Sequence, residues 1–182
     1  ILIYKKVINM SFNLNQEKIR EEAIEQAKKF IHPSPKVAEV ILLQFLKCFP
    51  DDPMGLQLLG LSKHKMGQNY ESIEIFKKAI EVDPNCPENY NNIGLAYACI
   101  KDFDNSIKNL KKAISLDSNN HIFYSNLGLQ YTWPYRKKNS NPAECTKAID
   151  LFQKSLSIKQ TAETWNNLGG VYYRMKDWDN CH

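Results

Sequence analysis

Three Leu/Ile-Gly pairs, Leu59-Gly60, Ile93-Gly94 and Leu127-Gly128, stand 34 residues apart, and a fourth, Leu168-Gly169, follows after 41 more. The neighbours recur with them: Leu56, Tyr90, Tyr124 and Trp165 lie four before each glycine, and Lys63, Tyr97, Tyr131 and Tyr172 three after it. Downstream, Ser72, Phe76 and Ala79 are answered by Ser106, Leu110 and Ala113, then by Ala148, Phe152 and Ser155. A register kept over so many places constrains the chain to an array of similar units, each covering the apolar face of the next.

Inside a unit the spacing is helical. Tyr90, Ile93, Gly94 and Tyr97 occupy i, i+3, i+4 and i+7, and Ile107, Leu110, Ile114 and Leu116 supply a second such face. Pro87 suits a first helical turn, Asp83-Pro84 ends the helix before it, and Asn141-Pro142-Ala143-Glu144 reads as a capped start. Each unit is thus two short antiparallel helices, with Gly94 and Ala113 letting backbones approach and Tyr90 and Tyr97 filling the space between neighbours.

These residues resemble the tetratricopeptide repeat (TPR), a 34-residue helix-turn-helix unit. The resemblance covers 53–86, 87–120, 121–161 and a truncated 162–182, with Lys63 in place of an expected aromatic and Ser118 in place of a usual proline. A degenerate first unit is expected at 19–52, where Ala38, Leu42, Phe45 and Pro50 fall in second-helix places but Gln26 stands where the glycine belongs; residues 1–18 read as an N-terminal tail. The resemblance implies an all-α, right-handed superhelix of antiparallel helix pairs, whose first helices line a concave groove for peptides or partner proteins.

Composition leaves little room for other classes. The 182 residues carry 24 Lys and Arg against 20 Asp and Glu, a net +4 too mild and dispersed to point to nucleic acid. No apolar run is long enough for a membrane span. The five cysteines form no CxxC pair, which favours a reducing, cytoplasmic setting over a disulfide framework. His32, His64, His121 and His182 are too far apart to share a metal, and no nucleophile has a base beside it. The chain is therefore expected to be non-catalytic, with no metal and no cofactor.

Family geometry assigns Gln57, Leu61, Asn91, Asn92, Leu95, Asn126, Leu129, Asn166 and Asn167 to the groove. TPR domains that clamp a C-terminal carboxylate need converging Lys and Arg, and the matching places here hold Gln57, Leu61, Asn92, Ile122 and Asn126. Asn92, Asn126 and Asn167 recur once per unit, which resembles the asparagine ladder in the repeat region of O-linked N-acetylglucosamine transferases. There, side-chain amides hold the backbone of an extended peptide, and an amide offers both a donor and an acceptor. Three such bonds at roughly 0.5–1.5 kcal/mol each reach only about millimolar affinity, so the row Leu61, Leu95 and Leu129 is expected to contribute as well.

The segment 132–141, with Trp133, Tyr135, Arg136, Lys137 and Lys138, reads as an inserted loop between the two helices of its unit. The chain opens on Ile1 rather than Met, with Met10 a more natural start, and stops just after a helix-opening pattern. It reads as a fragment whose last unit exposes Trp165, Leu168, Val171 and Tyr172 and invites self-association there. The expected function is a non-catalytic scaffold-type module binding a peptide or protein partner. The alternative is the substrate-binding arm of a larger enzyme, such as a glycosyltransferase.

Overall fold

The computed structural model describes residues 2–132 and 142–179, and all regular structure among them is helical. Among the described residues nine helices follow in order: α1 (Leu2–Phe30), α2 (Pro35–Cys48), α3 (Pro53–Lys65), α4 (Asn69–Val82), α5 (Pro87–Cys99), α6 (Phe103–Leu116), α7 (His121–Thr132), α8 (Pro142–Ile158) and α9 (Ala162–Asp179). They form two compact units, one ending at Pro84 and one beginning at Asn85. The expected loop residues 133–141 lie outside the described residues.

In the first unit, α1 packs on α2 and α3, α2 on α3, and α3 on α4. Ile24, Ala27 and Ile31 of α1 and its C-terminal end meet Ala38, Leu42 and Phe45 of α2 and Leu58 and Leu59 of α3 in one buried cluster. Two details depart from the sequence reading. The residues read as a tail belong to the same helix as those expected to open the degenerate unit, because α1 runs unbroken from Leu2. Gln26, expected in the glycine's place, is exposed; Ala27, one residue on, is the small residue in the core. A slip of one position rotates a helix by about 100°, enough to exchange core for solvent.

Helix starts follow local chemistry. Pro35, Pro53 and Pro87 open α2, α3 and α5, where the missing N–H costs nothing. The Asp52 carboxylate accepts the Gly55 N–H at 2.7 Å, and its other oxygen pairs with Arg20 of α1. The α3–α4 and α5–α6 turns share one form. Gly67 has φ +76° and Lys101, 34 residues later, φ 66°. The residues after them close the turns, with Gln68 N donating to Lys63 O and Asp102 N to Tyr97 O, both at 3.0 Å.

Lys63, which stands in an aromatic's place, has a definite role. Its ammonium pairs with Glu39 of α2 at 2.7 Å and Glu71 of α4 at 2.5 Å, tying α3 to both neighbours. Glu39 is buried, 3% exposed, and its second oxygen is met by Lys36. Hydrogen bonds from Lys36 and then Lys63 hold the Glu39 carboxyl below the usual range, and hydrogen bonds to Glu39 and Glu71 raise Lys63.

In the second unit α5 packs on α6, α6 on α7, α7 on α8 and α8 on α9. Ser106, Leu110 and Ala113 form the buried stripe of α6, while Lys108, Lys111 and Lys112 are exposed. Glycine marks each close crossing. A Cβ on Gly94 would lie 2.9 Å from Leu110 Cγ and 3.2 Å from the Ser106 carbonyl, and one on Gly128 would lie 2.7 Å from Phe152 Cε1. In the first unit Gly60 stands in the same way against Phe76, at 2.7 Å.

The end of the described chain corrects one expectation. Leu168 and Val171 are not exposed; they are 4% and 2% exposed and close a cluster with Cys145, Ala148, Phe152 and Leu156 of α8. Among the described large apolar side chains of α9, Trp165, Tyr172 and Tyr173 are exposed. The indole Nε1–H of Trp165 donates to Gln160 Oε1 at 2.8 Å. The helix continues to Asp179.

Candidate functional site

The face assigned from the sequence falls in both units. In the first, Gln57 and Leu61 are half-buried on α3, and Leu61 packs against the cluster of α1, α2 and α3. In the second, α5 touches α7 and α7 touches α9, so the first helices of successive helix pairs lie side by side. The second helices α6 and α8 sit close under Gly94 and Gly128.

Where α5 and α7 meet, three asparagines form a chain of hydrogen bonds. The Asn126 Nδ2 amide donates to Asn91 Oδ1 at 2.8 Å, and Asn91 Nδ2 donates to Asn92 Oδ1 at 3.3 Å. Asn91 is 7% exposed, whereas Asn92 and Asn126 are half-buried and reach the surface. Gln130, one turn beyond Asn126, is buried and donates through Nε2 to the Asn126 carbonyl at 3.2 Å. On the next helix pair Thr164 Oγ1–H donates to Ser125 Oγ at 3.4 Å, linking α9 to α7.

The remaining residues of the set are less concentrated. Leu95 and Leu129 are half-buried, and Leu129 packs against the α8–α9 cluster. Leu61 and Leu129 are therefore partly spent on their own cores, and a ligand has less of their surface to cover than a free side chain offers. Asn166 is exposed and Asn167 half-buried on α9. The sequence reading places Asn91 beside Asn92 as an equal; it finds neither Asn91 as the buried link nor Gln130 and Thr164. The adjacent pair Asn91-Asn92 is the available signal, because successive residues on a helix face about 100° apart and only one of them can turn toward the neighbouring helix.

Charge is sparse on the two helices that carry the amide chain. Neither α5 nor α7 contains Lys or Arg. Beside the start of α5, burial pushes the Cys86 thiol up, opposed by the Asn89 N–H, and its Sγ lies 3.3 Å from Glu88 Oε2. Among the described residues no group of three His, Cys, Asp or Glu side chains is placed to hold a metal, and no helix is long and apolar enough to cross a membrane.

Comparison with known proteins agrees with this architecture. Residues 60–98 match a family model described as a TPR repeat, and residues 87–120 one described as a tetratricopeptide repeat. No curated protein matches the sequence. Among solved structures, MamA is similar at 27% identity over 82% of this chain and 83% of its own, with a TM-score of 0.67. TTC0263, a thermophilic TPR protein of Thermus thermophilus, has the same fold at 18% identity, covering 86% of this chain and 82% of its own with a TM-score of 0.73. The first TPR domain of Spaghetti (RPAP3), solved with the HSP90 peptide SRMEEVD, covers 68% of this chain and 93% of its own at 20% identity and a TM-score of 0.60.

Proposed function

We propose that this chain, which carries tetratricopeptide repeats across residues 60–120, is a non-catalytic interaction module that holds an extended segment of a protein partner against α5, α7 and α9. The observation that carries the reading is the amide chain Asn126–Asn91–Asn92, which brings two asparagine side chains to the surface of adjacent helices with hydrogen-bonding capacity still unused. A protein of the same fold is bound to the acidic HSP90 peptide SRMEEVD. Here α5 and α7 offer no Lys or Arg, which favours a neutral stretch of main chain over an acidic one against those two helices. Amides grip a peptide backbone without selecting its side chains. Leu95, half-buried one turn beyond Asn92 on α5, supplies the apolar contact, and Asn166 and Asn167 of α9 continue the row of amides.

The test is a screen of immobilised dodecapeptides of random sequence against the purified chain, followed by the double variant Asn92→Ala, Asn126→Ala. Two amide bonds at about 0.5–1.5 kcal/mol each predict a loss of roughly tenfold or more in affinity, with circular dichroism unchanged. A double variant that binds every selected peptide as tightly as the parent rules the reading out.

A further inference from the structure

Asn92 and Asn126 do not present the same chemistry to a ligand. Asn92 Oδ1 accepts from the Asn91 donor on one lone pair and is turned toward it, so the Nδ2 donor at the other end of the amide is the group directed outward. Asn126 Nδ2 gives one of its two N–H groups to Asn91 Oδ1, which turns that end of the amide inward and the Oδ1 acceptor outward. Both assignments descend from one buried side chain, which accepts with one end and donates with the other. We infer that Asn91 is a positioning residue that sets the hydrogen-bonding polarity of the face, a donor at Asn92 and an acceptor at Asn126, and so fixes the register in which an extended peptide lies. This rests on the peptide-binding reading above and deepens it.

The chemistry that fits is specific. A carbonyl of the bound main chain faces Asn92, and an N–H faces Asn126. A residue without that N–H, proline or an N-methylated amino acid, is excluded from the one place that meets Asn126. Register selection of this kind needs no side-chain pocket. It needs amides that cannot rotate, and a partner nine-tenths buried is what prevents rotation.

Two measurements test this. The first needs no peptide: in the 15N-resolved side-chain amide spectrum of the parent, one Asn126 Nδ2 proton is expected to be shifted downfield with slowed exchange, and the shift is expected to vanish in Asn91→Leu. Equivalent, freely exchanging Asn126 protons in the parent overturn the inference outright. The second uses one dodecapeptide from the screen, N-methylated at one backbone nitrogen at a time. The parent is expected to lose tenfold or more at a single position, Asn91→Leu less than twofold there, and Asn91→Asp, which still accepts from Asn126, is expected to keep the parental penalty. An unchanged penalty in a folded Asn91→Leu variant overturns the inference while leaving the peptide-binding reading intact. Parental affinity in the Asn92→Ala, Asn126→Ala variant instead fails that reading, and the two failures are thereby distinguished.

Discussion

Phe152 occupies the space that a side chain at Gly128 would need: a Cβ there would lie 2.7 Å from the ring's Cε1 and 3.0 Å from both Cδ1 and Cζ. The ring is fully buried, at 0% exposure, and so has little freedom to retreat. At the matching place in α9, a Cβ on Gly169 meets nothing within 4 Å.

The same substitution should therefore have opposite signs at the two glycines. Gly128→Ala is expected to destabilise by about 1–3 kcal/mol through overpacking, against which the helical preference for Ala recovers less than about 1 kcal/mol. Gly169→Ala, on an open helix face, should stabilise by about 0.5–1 kcal/mol. Urea titrations of both variants decide the matter, and two shifts of the same sign would refute the crossing geometry.

Lys101 adopts φ 66° in a turn whose counterpart in the first unit uses Gly67 at φ +76°. A side chain in the left-handed region is strained by about 1 kcal/mol or more. Lys101→Gly is expected to raise the melting temperature by a few degrees, and Gly67→Ala to lower it. Calorimetry on the pair checks both signs.

The Glu39–Lys63–Glu71 cluster makes stability depend on pH at the acid end. The folded carboxyl of Glu39 is held low, so its contribution is present above the unfolded value of about 4.3 and is lost as pH falls through the lowered folded value. Lys63 is raised, so its contribution holds below about 10.4 and is lost as pH climbs through the folded value. Glu39→Gln should flatten the acid limb of a melting-temperature profile. Lys63→Met, which leaves Glu39 only the exposed Lys36, should cost about 1–3 kcal/mol, and Glu39→Leu with Lys63→Met should recover much of that loss. An acid limb identical in Glu39→Gln and parent would remove this cluster as its source.

Cysteine reactivity should divide by environment. Burial raises the Cys86 thiol and Glu88 beside it adds to the rise, so less of it is thiolate at pH 8 than of an ordinary cysteine. Cys48 and Cys99 are exposed. Iodoacetamide followed by mass spectrometry should label Cys48 and Cys99 well before Cys86, and Glu88→Gln should speed labelling of Cys86. Labelling of Cys86 at the rate of the exposed pair would contradict its placement.

Much of this protein is legible in its sequence because the 34-residue recurrence repeats a local rule. Leu or Ile before glycine is enough to read Gly94 as a place where helices approach closely, and the structure puts Leu110 under it and Phe76 under Gly60. Helix starts at Pro53 and Pro87 are readable for the same reason, since a proline acts on its own backbone wherever it sits. Tertiary packing decided the rest. The degenerate α1 has no glycine to mark its register, so only contact with α2 and α3 brought Ala27 inward and left Gln26 outside. Leu168 and Val171 read as exposed in a unit with little sequence after it, yet α8 covers them, because the helix before a repeat buries it as well as the helix after. Asn91 and Asn92 are chemically identical neighbours; which one is buried, and hence which way the amides of Asn92 and Asn126 point, depends on a bond across 35 residues that no local pattern encodes.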